Sequence, residues 1–255
     1  MKYIASWSGG KDSTASIILA HENGEPLDMI IFAEVMFNES ISGELPEHIE
    51  FVHKAAKVFE TWGYPVHILR SDRTYMDCFN HRVYKINKTK NLHRMGRKKG
   101  FPITGKCDIN RDCKMRPIRQ FWKSVEGEGE YTQYVGIAVD EKKRIERIVK
   151  TKNTVSLLEK YGYTEHMAFE LCKKYDLLSP IYEFTERGGC WFCPNAKEKE
   201  LRHLRKNHIE HWNTLLFLEN DPETIGNMWN VLKKTRIHDW EEIFQMEDRQ
   251  MRLDI

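Results

Sequence analysis

The chain has 255 residues, and its 40 basic and 38 acidic side chains give a formal net charge of only +2. A hydrophobic content of 40% and a charged content of 31% exclude a disordered or collagen-like chain, and this length can bury a core without disulfides. No run approaches the roughly 18 apolar residues of a membrane span, and the apolar stretch before Ser8 is too short for a signal peptide. We therefore expect a cytoplasmic protein that does not associate with a membrane, in which the six cysteines are thiols or metal ligands.

The small net charge conceals one strongly basic segment. Residues 82–123 hold 14 Lys or Arg against two acidic residues, a local charge of +12 that leaves −10 for the rest of the chain. Aromatic side chains lie among these charges, a combination that favours a nucleic-acid partner. The alternative is that part of the segment neutralises nucleotide phosphates or a metal cluster while the rest is a solvated loop.

Apolar periodicity predicts strands that alternate with helices. In chain order, the predicted strands are 3–7, 28–35, 65–69 and 134–139, and the predicted helices are 14–21, 46–62, 115–122, 141–148 and 164–175. This alternation predicts an α/β fold with a doubly wound, mostly parallel sheet that is covered on both faces. Residues 89–112 lack periodicity and are predicted to form a long basic loop.

The domain organisation follows from the same pattern. We expect a nucleotide-binding α/β domain over residues 1–195, with the basic loop inserted at about 85–113. Because the sequence after Cys193 has no strand signals, residues 196–255 are predicted to form a helical C-terminal extension.

The strongest local signal is the hexapeptide 8–13, SGGKDS, between the first predicted strand and helix. Its two glycines let the backbone turn sharply, so that successive N–H groups and the positive end of the helix face one anion. Lys11 adds a full charge, and Ser8 and Ser13 add hydroxyl groups. The spacing differs from the GxxxxGK[ST] and GxGxxG loops. It predicts a phosphate site, with an ordinary glycine turn as the alternative.

The hexapeptide resembles the SGGxDS loop of the N-type ATP pyrophosphatases, the PP-loop superfamily, which cleave ATP between the α and β phosphates to transfer AMP. Further motifs resemble the PAPS reductase and ATP sulfurylase branch of that superfamily; they are LPE…FV (45–52), GIAVDEKKR (136–144), TE (164–165), LSPIY (178–182) and RGGCWFC (187–193). Together these matches cover about residues 1–195. The resemblance implies an adenine nucleotide α-hydrolase-like fold of the HUP type, with the nucleotide at the carboxyl ends of the strands.

The resemblance also implies roles for individual residues. The β,γ-pyrophosphate of ATP, with Mg²⁺, is expected on Ser8, Gly9, Gly10, Lys11, Asp12 and Ser13, and further nucleotide contacts on Asp140, Glu141 and Arg147. The catalytic candidates are Lys11, Asp12, Arg144 and Arg187. The two arginines are included because planar guanidinium groups suit bidentate anion binding.

Three departures from the branch concern sulfonucleotide reduction. Residues 34–36 replace the Asp-Thr-Gly that the reductases usually have after strand two, and Ala138 replaces an arginine. The reductases also carry a nucleophilic cysteine near the carboxyl terminus, whereas no cysteine follows Cys193 here. An intact SGGKDS points instead to ATP.

Four cysteines are candidate metal ligands: Cys107, Cys113, Cys190 and Cys193. Their placement is similar to that of the cysteines that hold a [4Fe–4S] cluster in APS reductases, although the first pair is adjacent there. Four thiolates suit either such a cluster or Zn²⁺. A mixed site of Cys190, Cys193, His203 and His208, or uncoordinated thiols, are the alternatives, and Cys78 and Cys172 are expected to be buried apolar residues.

We therefore expect an ATP-dependent adenylating enzyme that acts on an unidentified acceptor. If the cysteines hold a metal or Fe–S site, the activated group would accept sulfur, as in thiolation of a nucleic acid. One alternative is a sulfonucleotide reductase acting on PAPS or APS. A second is a nucleic-acid-binding module without turnover, and self-association into a homo-oligomer is left open.

Overall fold

The computed structural model describes residues 1–86, 89–102, 107–186, 188–226, 228–230 and 232–253, with side chains as far as residue 250. The chain forms two compact units. The first, here called the sheet unit, comprises Met1–Glu34, Glu44–Arg70 and Lys114–Gly188. The second, here called the cysteine unit, comprises Val35–Gly43, Ser71–Cys113 and Gly189–Ile255. The expected domain boundary near residue 195 stays a prediction.

Five parallel strands form the sheet, in the spatial order β3-β2-β1-β4-β5. They are β1 (Lys2–Trp7), β2 (Met29–Glu34), β3 (Val66–Arg70), β4 (Tyr131–Tyr134) and β5 (Thr154–Val155). The central strand is β1, where Ala5 lies opposite Ile30 on one side and Tyr134 on the other. The predicted parallel α/β sheet is therefore confirmed.

The described α-helices are α1 (Lys11–Glu22), α2 (Pro46–Thr61), α3 (Tyr75–Asn80), α4 (Met115–Glu128), α5 (Lys142–Ile148), α6 (Leu157–Lys160), α7 (Glu165–Lys174), α8 (Glu198–Asn207), α9 (Ile209–Glu219) and α10 (Ile237–Leu253). Short 3₁₀-helices lie at Thr89–Arg94 and Pro180–Glu183, and a π-helix lies at Asn110–Lys114. Among these described helices, none combines the length and the apolar character that crossing a membrane requires.

Helices cover both faces of the sheet. On one face, Ile4 and Ile31 pack against Val125 of α4. On the other face, Ala5 and Ile30 belong to a larger core that includes buried residues of α1, α2 and α7. Because successive side chains of a strand point to opposite faces, strands covered on both sides need the nearly continuous apolar runs that β1 and β2 have.

The cysteine unit contains α3 and the three helices α8, α9 and α10. Thr74 caps α3: its hydroxyl accepts from the N–H of Asp77, whose carboxylate accepts from the N–H of Thr74. Helices α9 and α10 are joined where Nε1 of the buried Trp212 donates to Glu241 at 2.5 Å. The C-terminal helices agree with the helical character predicted after Cys193.

Two secondary-structure predictions need correction. The fourth strand was predicted at residues 134–139, but β4 is Tyr131–Tyr134. The apolar run that follows leaves the sheet as a partly buried loop, in which Gly136 lies against the first turn of α1. The predicted basic loop is not wholly irregular, since it includes the 3₁₀-helix and most of the π-helix; its residues 103–106 are outside the described part.

Candidate nucleotide site and candidate metal centre

The hexapeptide 8–13 lies at the carboxyl end of the central strand. Strand β1 ends at Trp7 and α1 begins at Lys11, so Ser8–Gly10 form the connection. Neighbouring strands β2 and β4 flank β1 on opposite sides, so the strand order reverses between β1 and β4. Ligands of open parallel sheets bind in the crevice at this reversal, beyond the carboxyl ends of the strands.

Gly9 has a backbone conformation that favours glycine, with φ of +73°. A Cβ atom at this residue would lie 2.6 Å from Cε1 and 2.7 Å from Nε2 of His48. Gly10, the N-cap of α1, is extended and has no side chain to cap the helix. The loop therefore requires glycine at residue 9 both for its turn and for its contact with the imidazole.

Hydroxyl groups hold the N–H groups of this loop. The N–H of Ser8 donates to Ser13 Oγ at 3.1 Å, and the N–H of Gly10 donates to Ser8 Oγ at 3.3 Å. The N–H of Lys11 donates to the hydroxyl of Tyr182 at 2.8 Å. The first N–H groups of a helix have no partner within the helix, so these hydroxyls stabilise the turn. Tyr182 belongs to the LSPIY motif but was not predicted as a site residue.

The buried His48 connects the hexapeptide to Ser179. Its Nε2 lies 3.3 Å from the carbonyl oxygen of Ser8, and its Nδ1 lies 2.8 Å from Ser179 Oγ. Burial lowers the pKa of His48, so the imidazole is neutral at pH 7. A carbonyl only accepts hydrogen bonds, which assigns the proton to Nε2 and makes Nδ1 the acceptor from Ser179. No sequence motif indicated this role for His48.

Lys11 is paired with two carboxylates. Its Nζ lies 2.9 Å from both carboxylate oxygens of Asp12 and 2.7 Å from Glu165 Oε2. Burial opposes the charge on Lys11, but the hydrogen bonds to Glu165 and Asp12 outweigh it and raise its pKa. Burial raises the pKa of Asp12, and the charges of Glu165 and Glu141 act in the same direction. The single ammonium group of Lys11 is therefore shared between the carboxylates of Asp12 and Glu165.

Asp140 and Glu141, which the sequence predicts to contact the nucleotide, lie beside this group of charges. The N–H of Glu165 donates to Asp140 Oδ1 at 3.2 Å. Glu141 accepts from the N–H of Ala138 at 3.2 Å, and its charge contributes to the raised pKa of Asp12. The structure therefore brings Asp140 and Glu141 to the edge of the sheet that carries the hexapeptide.

The predicted arginines differ in position. Arg144 donates to Glu141 Oε1 at 2.5 Å, and its side chain is half exposed. Arg147 lies exposed on α5. Arg187 lies outside the described residues. Of the three, Arg144 is the one with a described bond to another predicted site residue.

Gly136 packs against the hexapeptide at this edge of the sheet. A Cβ atom at Gly136 would lie 2.3 Å from the nitrogen of Ser13 and 2.5 Å from the carbonyl carbon of Asp12. Both neighbours are backbone atoms of the first turn of α1, so they cannot yield as a flexible side chain would. The segment after β4 can therefore pack on the hexapeptide only with glycine at this position.

All four predicted metal ligands lie in the cysteine unit, together with Cys78. The sulfur atoms of Cys78 and Cys113 are 3.8 Å apart, and both residues are buried. Among the described residues, no three cysteine sulfurs lie within 4.8 Å of one another. Cys78 was predicted to be merely a buried apolar residue, and its proximity to Cys113 is a finding of the structure.

The Cys190–Cys193 segment is anchored by the two aromatic residues between its cysteines. The buried Trp191 donates its N–H to the carbonyl of Gly43 at 2.9 Å and its Nε1 to that of Ser42 at 3.0 Å. The ring of Phe192 lies 4.1 Å, centroid to centroid, from that of Tyr75. This packing places the segment beside α3, the helix that carries Cys78.

The alternative ligands His203 and His208 are also close to each other. Their ring centroids are 5.6 Å apart, and the ring of His211 stacks on Trp191 at 4.4 Å. The mixed site with Cys190 and Cys193 stays a prediction.

Part of the basic segment is neutralised within the cysteine unit. Arg82 pairs with Glu223 at 2.7 Å, and Lys98 pairs with Asp221 at 2.8 Å. Lys99 pairs with Asp108 at 3.0 Å. These pairs reduce the charge that the segment offers to a partner, and binding of a nucleic acid stays a prediction.

Comparison with known proteins gives a curated relative and several solved structures, two of which are described below. The relative is an uncharacterised protein of Methanocaldococcus jannaschii, 25% identical over 223 residues; the match covers 82% of this chain, which spans less than half (45%) of the relative's length. No family model matches the chain.

Two of the matching solved structures are enzymes. One is the PAPS reductase of Candida auris in a phosphate complex, 10% identical, with 75% of this chain and 82% of the reductase covered and a TM-score of 0.45. The other is the U34-tRNA thiolase NcsA of Methanococcus maripaludis with its [4Fe–4S] cluster, 17% identical, with 86% and 72% covered and a TM-score of 0.39.

Proposed function

We propose that the chain is an ATP-dependent adenylating enzyme that binds the β,γ-pyrophosphate of ATP on residues 8–13. The observation that carries the proposal is the position of this loop at the reversal of strand order, with Gly9 at φ +73° resting on His48. Backbone N–H groups and a helix N-terminus at this position are suited to phosphate.

Phosphate binding replaces weak acceptors by a strong one. The N–H groups of Ser8, Gly10 and Lys11 donate to neutral hydroxyl oxygens. A charged phosphate oxygen forms shorter and stronger hydrogen bonds with such donors. The same hydroxyls, on Ser8, Ser13 and Tyr182, can then donate to the phosphate themselves.

Lys11 and Asp12 have complementary roles in this proposal. For its ammonium group to reach the phosphate, the ion pair of Lys11 with Glu165 must open. Asp12 then supplies carboxylate oxygens, which are ligands that Mg²⁺ prefers. When bound, Mg²⁺ neutralises the charge of the phosphate oxygens. Asp140 and Glu141 lie beside this group and are proposed to contact the nucleotide.

The reaction is a transfer of AMP. An oxygen of the acceptor attacks the α-phosphorus in line, the new O–P bond forms, and the bond from the α-phosphorus to the bridging oxygen breaks. The electron pair leaves with the pyrophosphate, which the loop holds. Catalysis comes mainly from positioning and from neutralising charge, to which Arg144 and, by sequence resemblance, Arg187 are proposed to contribute.

The proposal includes a second step only if the cysteine unit binds a metal. Two features fit a thiolate-bound ion: the Cys78–Cys113 separation of 3.8 Å and the buried hydroxyl of Tyr75, which has no hydrogen-bond partner in the described part of the chain. Such an ion or cluster supplies either a structural cross-link or sulfur chemistry. In the latter case, a sulfide donor would attack the activated carbon of the adenylated acceptor, a nucleic acid or a small molecule. The C–S bond would form, the C–O bond to the adenylate would break, and AMP would leave.

The experiment is product analysis with ATP labelled on the α or the γ phosphate, with tRNA, total RNA or small acceptors. The proposal expects labelled AMP and pyrophosphate, loss of turnover in Lys11→Ala, and normal turnover in the control Lys54→Ala, an exposed lysine of the same unit. ADP and phosphate as products, or unchanged turnover in Lys11→Ala, would contradict it. Sulfite released from PAPS or APS would favour a reductase, and RNA binding without turnover would favour a binding module.

A further inference from the structure

Cys78 and Cys113 form a buried pair that ATP cleavage does not need. Cys78 lies on α3, and Cys113 lies 35 residues later in the π-helix Asn110–Lys114. The side chain of Cys113 is fully buried, and that of Cys78 nearly so. Irregular helical turns of the π type often mark functional positions, and this one directs the Cys113 sulfur at Cys78.

The distance between the two sulfurs matches a metal site. In a tetrahedral site with zinc–sulfur bonds of about 2.3 Å, two sulfur ligands are separated by about 3.8 Å. The Sγ atoms of Cys78 and Cys113 are 3.8 Å apart, a distance at which the two metal-free thiols form an S–H···S hydrogen bond. A disulfide requires about 2.05 Å, and in a four-iron cluster each cysteine binds a different iron, so its sulfurs lie farther apart. The spacing therefore fits two ligands of one ion.

An independent observation comes from Tyr75, one helical turn before Cys78. Its side chain is fully buried, and its hydroxyl has no hydrogen-bond partner among the described residues. An unpaired buried hydroxyl is costly, so a structure that retains one has a reason for it.

We propose that Cys78 and Cys113 bind one tetrahedral metal ion and that the hydroxyl of Tyr75 donates a hydrogen bond to a thiolate of this site. The proposal deepens the metal-binding part of the proposed function and does not depend on ATP cleavage. The remaining ligands come from Cys107, Cys190 and Cys193, which lie in the same unit. Among the described residues, no third cysteine sulfur lies within 4.8 Å of both Cys78 and Cys113, so we propose that the cysteine side chains change rotamer when the metal binds.

The surroundings of the pair suit such a site. The ring of Tyr75 lies 4.1 Å from that of Phe192 and 5.3 Å from that of Phe37. Phe79, next to Cys78, lies 5.6 Å from Phe101. An apolar shell excludes water from thiolate ligands, and a hydrogen bond to a thiolate orients it.

The test is titration of the metal-free, reduced full-length chain with Co²⁺, followed by displacement with Zn²⁺. The absorption of thiolate-to-cobalt charge transfer reports the number of sulfur ligands. Wild type is expected to bind one Co²⁺ tetrahedrally. Cys78→Ser is expected to lose one sulfur ligand and to bind at least tenfold more weakly, whereas Cys172→Ser, in the sheet unit, keeps the spectrum of wild type.

Tyr75→Phe separates the hydrogen bond from simple packing. With the metal bound, it is expected to keep the ligand number but to weaken metal binding by about 10–100-fold, as loss of an outer hydrogen bond typically does. Without metal, it removes an unpaired buried hydroxyl, so the chain is expected to unfold at the same or a higher denaturant concentration than wild type.

Three results would overturn the proposal: no binding of Co²⁺ by wild type, an unchanged spectrum and affinity in Cys78→Ser, or an unchanged affinity in Tyr75→Phe. Iron and sulfide reconstitution that gives about four irons per chain in both wild type and Cys78→Ser would also overturn it. ATP cleavage is measured separately, so a failure of this metal site leaves the adenylation proposal standing, and the reverse also holds.

Discussion

The backbone of Gly9 rests on the buried imidazole of His48, so closely that a Cβ atom at residue 9 would lie 2.6 Å from Cε1 of the ring. The same imidazole lies 3.3 Å from the carbonyl oxygen of Ser8 and 2.8 Å from the hydroxyl of Ser179. His48 of α2 therefore fixes the position and the orientation of the turn that we propose to bind pyrophosphate.

Gly9→Ala is expected to abolish most ATP turnover. The new methyl group would displace either His48 or the loop, and a shift of about 1 Å in a positioned group can cost about 100-fold in rate. The measurement is kcat/KM for AMP formation.

Gly24→Ala is the matched control for that variant. Gly24 also has a positive φ, +62°, but nothing lies within 4 Å of its Cβ position. It is expected to lose about 1 kcal/mol of stability from backbone strain alone and to keep its kcat/KM. Equal turnover in the two variants would contradict the role of the Gly9–His48 contact.

Glu165→Gln is expected to strengthen ATP binding. The carboxylate of Glu165 lies 2.7 Å from the ammonium group of Lys11 and competes with a phosphate for it. Removing that charge leaves Asp12 as the one described carboxylate paired with Lys11, so the Kd for ATP should fall by several-fold, measured by calorimetry. Glu170→Gln, an exposed residue on the same helix, is the control and should leave the Kd unchanged. Weaker binding in Glu165→Gln would instead assign Glu165 to the metal or the nucleotide.

Gly136→Ala is expected to destabilise the sheet unit by about 3 kcal/mol, because its methyl group would meet the backbone of Ser13 at 2.3 Å. Gly127→Ala lies in α4, where nothing is within 4 Å of the Cβ position, and should gain up to about 1 kcal/mol from helix propensity. Chemical denaturation of both variants measures the difference. A loss below about 1 kcal/mol in Gly136→Ala would show that the loop after β4 adapts freely.

His48 is expected to make stability depend on pH. Burial lowers its pKa in the folded chain below the ordinary value of 6.5. As the pH falls below 6.5, the unfolded chain binds this proton before the folded chain does. The contribution of His48 to the free energy of unfolding is therefore complete above that pH and is lost as the pH falls towards the folded-state pKa.

Denaturation at pH 7.5 and 5.5 measures this effect. His48→Gln should reduce the loss of stability between the two pH values, whereas His53→Gln, an exposed histidine of the same helix, should retain the wild-type dependence. The same loss in His48→Gln as in wild type would exclude a buried, neutral His48.

What the sequence predicts well is what neighbouring residues determine. The hexapeptide, its strand and its helix lie within residues 2–22, and the parallel sheet follows from the alternation of apolar runs. The fourth strand was misplaced because its apolar residues belong to the loop around Gly136. The packing of Gly136 on Ser13 cannot be recognised from a local sequence pattern.

The supporting residues of the site depend on contacts between distant parts of the chain. His48 lies 40 residues from Ser8, and Tyr182 lies 171 residues from Lys11. Cys78 is likewise 35 residues from Cys113. Folding alone brings such side chains together, so the sequence predicts the phosphate loop but not the groups that hold it.

The most direct test of the central claim is calorimetric titration of the full chain with pyrophosphate and with ATP, each with Mg²⁺. The account predicts that both bind at one shared site, that pyrophosphate competes with ATP, and that Lys11→Ala and Gly9→Ala each weaken both ligands while Gly24→Ala does not. Pyrophosphate that fails to bind or to compete, or binding that is indifferent to Gly9→Ala and Lys11→Ala, would contradict the assignment of residues 8–13 as the pyrophosphate site.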